Sequence, residues 1–362
     1  MNESPNKSAV VEESFDVKER RVIDMLRNSI VPEIVIHGEK FKLKDGNEGL
    51  GFEPDLDIRG ALYLLDLAGV DYKKLTVVPK GDSIPGSFMI DTGATNYDGM
   101  DSKGSVYADH HGKERDNIGE TTSSTEIVYD ILVKSGLLAR DGGLEEIVRF
   151  VNQIDNLDYS MSRDDLIESW WRSFYCLHYF ISFESLVDLI KDGRKANHVF
   201  SEEEARNITV TTKKGEKVLL LDLCLKQKQT LVNSMKYVER ISQSRSGRPE
   251  DRNLDSRGIR KNGKDLGAVL TNIVEGRNQI PLGFTLARGL GFDSYVSFYE
   301  KTGGFFITSR FDLGVIYSRL LEKFPDVKLV RGTMILYQPK DTEKSGTSVM
   351  PDEFFKILKL ID

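Results

Sequence analysis

The chain has 362 residues, 39% of them hydrophobic, two cysteines and a formal net charge of −7. That composition supports a sizeable buried core and, by length, two domains more readily than one. The acidic total excludes indiscriminate coating of nucleic acid, although a local basic groove stays compatible with it. The first residues form no apolar segment of the signal-peptide kind, and no apolar run reaches membrane-spanning length. Cys176 and Cys224 follow no zinc or disulfide spacing, so a reducing cytoplasm is the expected location.

Beyond a polar arm, Val17 to Asn28 reads as an amphipathic helix and Glu33 to His37 as a short strand. Gly38 to Gly51, rich in Gly, Lys and Asp, reads as a hairpin or loop. Asp55 and Asp57 then stand before a stretch, Ala61 to Ala68, with Leu62, Leu65 and Ala68 at helical spacing. Two carboxylates at i and i+2 in a non-helical turn can face one cation, and a helix N-terminus adds donors suited to phosphate. An N-cap aspartate with a charged neighbour is the plainer alternative. Leu75 to Val78 and Ser87 to Ile90 read as buried strands. The second ends at Asp91, where an open α/β sheet places its ligand-binding groups, although turn capping would account for Asp91 equally well.

Ser105 to Ala108 reads as a further strand, and it delivers Asp109, His110 and His111. With five histidines in the whole chain, two adjacent ones after an aspartate concentrate the metal-binding capacity at one point. At a strand-to-loop corner both rings can lean toward one site. Mixed oxygen and nitrogen donors suit Mn²⁺, Mg²⁺, Zn²⁺ or Fe rather than a thiolate metal. Thr121 to Ser124 caps or precedes a helix running to about Ser135, and Gly143 to Leu157 reads as another, ending at Asp155 and Asp158. Carboxylates at a helix C-terminus oppose the helix dipole and call for a compensating partner, a metal or solvent.

Trp170 to Phe183 reads as a packing face rather than a site, with His178 in it, and His198 has no evident partner. Gly215 to Ser242 reads as one long helix, and Gln243 to Lys264, with its many Arg and Lys residues, as a linker or mobile loop. The last hundred residues read as a separate α/β unit. In it Val269–Val274, Ser294–Tyr299, Phe305–Thr308 and Thr333–Tyr337 are strands, and Pro281–Gly289 and Leu313–Lys323 are helical.

In this order the motifs resemble those of the DHH phosphoesterase superfamily. Asp55-Leu-Asp57 with Ile58-Arg-Gly-Ala61 is similar to its Asp-x-Asp turn, Met89-Ile-Asp91 to its strand-closing aspartate, and Asp109-His110-His111 to its name-giving motif. Thr122 to Leu132 looks like the helix that follows, and Asp155, or Asp158, matches the last aspartate. Four ordered motifs at plausible spacing are harder to obtain by chance than one. They cover roughly the first half of the chain.

The resemblance implies a mainly parallel sheet flanked by helices, joined by a long helix to a smaller α/β C-terminal domain. The division is expected at 1–195, 196–265 and 266–362. It implies a metal-dependent hydrolase of phosphodiester bonds in a small nucleotide or short oligonucleotide. The alternatives are a phosphoanhydride hydrolase acting on pyrophosphate or polyphosphate, and a degenerate member that binds a nucleotide or a partner without hydrolysis. Two divalent cations are expected, Mn²⁺ first and Mg²⁺ second. Their ligands would be Asp55, Asp57, Asp91, His110 and Asp155, with Asp91 the natural bridging carboxylate. His111 would stabilise the phosphoryl oxygen or leaving group, and Asp109 would orient a histidine ring.

From the C-terminal domain, Arg310 and Ser309, and Arg331 with Gly332, would bind the substrate. The family's glycine-rich Gly-Gly-Gly-His signature is missing, and Arg331-Gly332-Thr333 stands roughly in its place. No membrane partner is expected, and a homodimer is left open. Family members commonly carry a histidine just before the Asp-x-Asp pair. Here Glu53, or His37 folding back from the preceding strand, would have to stand in for it.

Overall fold

A computed structural model describes residues 13–28, 31, 33–42, 48–51, 55–79, 82–93, 97–110, 122–156, 168–243, 259–263, 266–274, 286–287, 292–299, 303–325, 327–330, 334–337 and 351–358. The chain divides into two compact units, one made of 1–159 and 186–196, the other of 160–185 and 197–362. Both are mixed α/β, and among the described residues no helix is long and apolar enough to cross a membrane.

The first unit is built on strands β1 (Ile34–Lys42), β3 (Leu75–Pro79), β4 (Phe88–Ile90) and β5 (Val106–Ala108), parallel in the order β3-β1-β4-β5. Ile34, Val35, Ile36, Phe88, Met89, Ile90, Val106 and Ala108 are all buried. Near-continuous apolar runs of this kind belong to a parallel sheet covered on its faces. The flanking helices are α1 (Phe15–Arg27), α2 (Leu56–Leu67), α3 (Ser124–Ser135) and α4 (Gly142–Asp155).

β1 is longer than the expected Glu33–His37. Past its parallel partners it pairs antiparallel with β2 (Glu48–Gly51), from Glu39 opposite Gly51 to Lys42 opposite Glu48. The expected hairpin at 38–51 is therefore a two-stranded ribbon that continues a core strand. α2 and α3 approach closely at Gly60: a Cβ there would overlap the Thr125 hydroxyl oxygen and lie 2.9 Å from its methyl carbon.

In the second unit, β8 (Ile259–Gly263), β9 (Gly267–Val274), β10 (Ser294–Tyr299), β11 (Gly304–Ser309), β12 (Lys328–Val330) and β13 (Met334–Tyr337) form a six-stranded sheet, order β12-β13-β11-β10-β9-β8. Only β9 and β10 run parallel. Its core packs Phe298, Phe305, Phe324 and Phe354, with Tyr337 stacked on Phe305 at 5.1 Å.

Three expectations change here, and a fourth falls outside the described residues. Residues 160–185 belong with the second unit rather than with 1–195, because Ser173 bridges Val199, Ile181 bridges Thr212, and the Ser182 amide donates to the Thr211 carbonyl at 2.7 Å. The long helix begins at Leu220, not Gly215, since Thr209–Thr211 and Lys217–Leu219 (β6 and β7) pair as a hairpin first. Part of the expected linker is strand β8. Ile259-Arg-Lys-Asn-Gly263 has no alternation of apolar residues, and it is the open edge of β9 that supplies its backbone partners. The expected helix at 281–289 lies outside the described residues except for Leu286 and Ala287.

His178 is buried in this unit against Tyr179, ring centroids 3.9 Å apart, and burial pushes its pKa down to about 4. His198 faces the Glu204 carboxylate at 3.1 Å.

Candidate metal centre

The parallel register brings the chemistry to one edge. Ile36, Ile90 and Ala108 are consecutive partners across β1, β4 and β5. The next residue on each strand, His37, Asp91 and Asp109, therefore shares one rung at the carboxyl ends, where open α/β sheets hold ligands. His110 is one step further. α2 starts at this edge with Asp55 as its N-cap, one carboxylate oxygen accepting the Ile58 amide at 3.0 Å, and with Asp57 in its first turn. α4 ends there with Asp155.

Two groups of ligand atoms result. In each, the donor atoms lie within 4.8 Å of one another: His37, Asp55 and Asp91 in the first, Asp57, His110 and Asp155 in the second. His37 Nε2 stands 2.8 Å from Asp91 Oδ2 and 3.4 Å from Asp55 Oδ2. His110 Nε2 stands 3.3 Å from Asp91 Oδ1, 3.4 Å from Asp155 Oδ2 and 3.8 Å from Asp57 Oδ2. Asp91 thus turns one oxygen toward each group. Its backbone is the only non-glycine among the described residues with a positive φ, 52°. Asp tolerates that region better than most residues, and such conformations concentrate at functional sites.

The second group is braced by the start of α3. The Ser124 and Thr125 amides donate to the two oxygens of Asp57, each at 2.8 Å, and the Thr125 hydroxyl donates to the Asp57 carbonyl at 2.7 Å. The His110 ring contacts the Thr122 carbonyl through Nδ1 at 2.9 Å. Because a carbonyl only accepts, this fixes the proton on Nδ1 and leaves Nε2 for a ligand.

Burial raises the Asp57 carboxyl above its ordinary range, and the charges of Asp155 and Asp91 push it the same way. Burial alone would lower the His110 imidazole. The contact with Asp91 and the charges of Asp155 and Asp57 outweigh it, and the ring is raised instead. Three carboxylates crowded on one imidazole carry an excess of negative charge, and a divalent cation among oxygen and nitrogen donors would relieve it. The donor set fits a pair of hard cations.

All five expected ligands meet at this edge, and His37 joins them as a sixth. Sequence alone leaves it level with Glu53, because 17 residues lie between His37 and Asp55. The β1–β2 ribbon spans that gap and returns the chain to the edge it left. The available signal is a histidine closing an apolar run. Asp109 is fully buried beside His110. Glu53, His111, Asp158, Arg331 and Gly332 lie outside the described residues.

Ser309 and Arg310 belong to the second unit, at the end of β11. Ser309 is buried, its Oγ 2.7 Å from the Ser294 Oγ and accepting the Phe311 amide at 3.0 Å. The Arg310 guanidinium faces the Asp293 carboxylate and donates to the Phe292 carbonyl, both at 3.2 Å. Both side chains hold their own strand ends together.

No family model matches the chain, and no curated protein does. Among solved structures, an uncharacterized protein from Helicobacter pylori G27 aligns over 91% of this chain and 98% of its own, at 12% identity and a TM-score of 0.20.

Proposed function

We propose that this protein is a metal-dependent phosphoesterase of the DHH type, hydrolysing phosphodiester bonds of a small nucleotide or short oligonucleotide. The observation that carries the reading is Asp91, whose two carboxylate oxygens face the two ligand groups separately. A carboxylate so placed is suited to bridge two cations, the arrangement on which in-line phosphoryl displacement depends. His37, Asp55 and Asp91 would hold one ion, and Asp57, His110, Asp155 and Asp91 the other, with Mn²⁺ or Mg²⁺ the fitting metals. When bound, such a pair supplies Lewis acidity toward phosphoryl oxygens and lowers the pKa of attacking water.

The chain's own residues do the rest. The α3 amides hold the Asp57 carboxyl group in place, and the Thr122 carbonyl keeps the His110 proton on Nδ1. The start of α2 turns its positive dipole end toward the site, which favours an anionic substrate. In this reading His111 stabilises the phosphoryl oxygen or leaving group, and Asp109 orients a histidine ring. Arg310 meets a phosphate only in competition with Asp293.

The test is Mn²⁺-dependent release of nucleoside monophosphate or phosphate from a panel of cyclic dinucleotides, linear dinucleotides, pyrophosphate and single strands. Turnover of the dinucleotides is expected. Turnover of pyrophosphate alone would move the assignment to phosphoanhydride hydrolysis, and ligand binding with no turnover on any of them would sink the enzyme reading.

A further inference from the structure

We infer that Asn156 is a positioning residue for His110, acting through the carbonyl of Thr122; the inference rests on the metal-centre reading above. That carbonyl receives two donors, His110 Nδ1 at 2.9 Å and the Asn156 side-chain amide at 3.3 Å. The first sets which nitrogen of the ring is left for a cation. The second holds the carbonyl where it can do so.

An asparagine amide can face either way, so something must fix its direction. The Glu126 carboxylate, which only accepts when ionised, takes the Asn152 amide Nδ2 at 3.0 Å. That turns the Asn152 Oδ1 toward Asn156, whose Nδ2 donates to it at 2.5 Å and to the Asn152 carbonyl at 2.8 Å. Oriented in this way, Asn156 presents hydrogens, not its oxygen, to Thr122. Two hydrogens serve three acceptors, which accounts for the Thr122 contact being the longest.

Position on the helix adds a second argument. Asp155 is the last residue of α4 and Asn156 its C-cap. The end of this helix therefore reaches the site twice, with Asp155 beside His110 Nε2 and Asn156 behind the ring through Thr122. Glu126 lies in the first turn of α3, whose Ser124 and Thr125 amides hold Asp57. One polar chain thus links supports of all three ligands in the second group. Contacts of this outer kind change metal affinity by about 10–100-fold when removed.

The experiment follows ¹⁵N-labelled histidine in metal-free protein at a pH where the ring is neutral, alongside calorimetric Mn²⁺ titration. Wild type should show His110 with its proton on Nδ1. N156A should mix the two tautomers and weaken one of two Mn²⁺ sites by about 10–100-fold, leaving the other unchanged. N152A keeps the donor but loses what orients it. It should give a smaller shift in the same direction, and it decides the matter if N156A does not fold. Variants that fold and keep the wild-type tautomer and both affinities overturn the inference. Wild type that takes up no Mn²⁺ would instead overturn the metal-centre reading, and the tautomer alone would then decide the role of Asn156.

Discussion

The two candidate ligand groups, each faced by one oxygen of Asp91, differ in how they are held. In one, Asp57 and His110 are buried, the first held by the amides at the start of α3 and the second by the Thr122 carbonyl just before it. In the other, the Asp55 side chain is 48% exposed and spends one oxygen capping its own helix, and His37 sits within a strand that runs on into the ribbon. A group held in place before its ligand arrives loses less freedom on binding. The braced group should therefore bind a cation more tightly and release it more slowly than the exposed one.

Removing what the two groups share should have the largest effect. D91A should abolish Mn²⁺-dependent turnover, a loss on the order of a thousandfold, and weaken both sites together in titration. A loss confined to one site would mean that Asp91 does not bridge.

Separating the groups comes next. H110A and H37A should each reduce the Mn²⁺ stoichiometry from two to one, with H37A sparing the tighter site and H110A the weaker. Equal affinities in wild type would remove the contrast between them.

The bracing itself is accessible through Gly60. G60A places a methyl against Thr125, whose hydroxyl donates to the Asp57 carbonyl. Overpacking of this kind costs about 1–3 kcal/mol. Urea denaturation should show that loss, and Mn²⁺ affinity should fall at the braced site. Stability and affinity both at wild-type level would show that α2 and α3 can part without consequence.

The smallest effect is a slope with pH. A carboxyl whose pKa is raised on folding binds more protons in the folded state, so its contribution to stability is greatest in acid and falls as pH rises. For Asp57 that window runs from its ordinary 3.8 to about 7. The raised His110 ring works in the same direction, its contribution lost as pH passes its folded value. Metal-free wild type should therefore lose stability relative to D57N across this range, and saturating Mn²⁺ should offset that loss in wild type more than in D57N, which lacks the ligand. Parallel curves without metal would mean that Asp57 is not raised by its surroundings.

The same contrast explains how much of the site is legible in the sequence. The braced group is legible because its members follow strong local signals. Asp91 comes directly after one short apolar strand and His110 after another with only Asp109 between, Asp57 sits in a helix start, and Asp155 ends an amphipathic helix with Leu144, Ile147, Val148 and Val151 buried. The exposed group is half legible, since nothing in sequence tells whether His37 or Glu53 returns to Asp55. In the second unit the apolar strands β9, β10 and β11 are plain from their residues. Strand β8 is not, because its polar residues carry no period, and neither is the β6–β7 hairpin, whose strands are three residues each.

Sequence by itself determined the α/β class, because apolar periodicity is a local property, and it nominated Asp55, Asp57, Asp91, His110 and Asp155 as candidate ligands through the ordered motifs that resemble the DHH superfamily. Only the tertiary structure decided that His37 joins them, that Asp91 faces both groups, and that Thr122, Ser124, Thr125 and Asn156 stand behind the second group. Those facts depend on the parallel register of β1, β4 and β5 and on the close packing of α2 against α3. Both bring together residues dozens of positions apart, which no local pattern encodes.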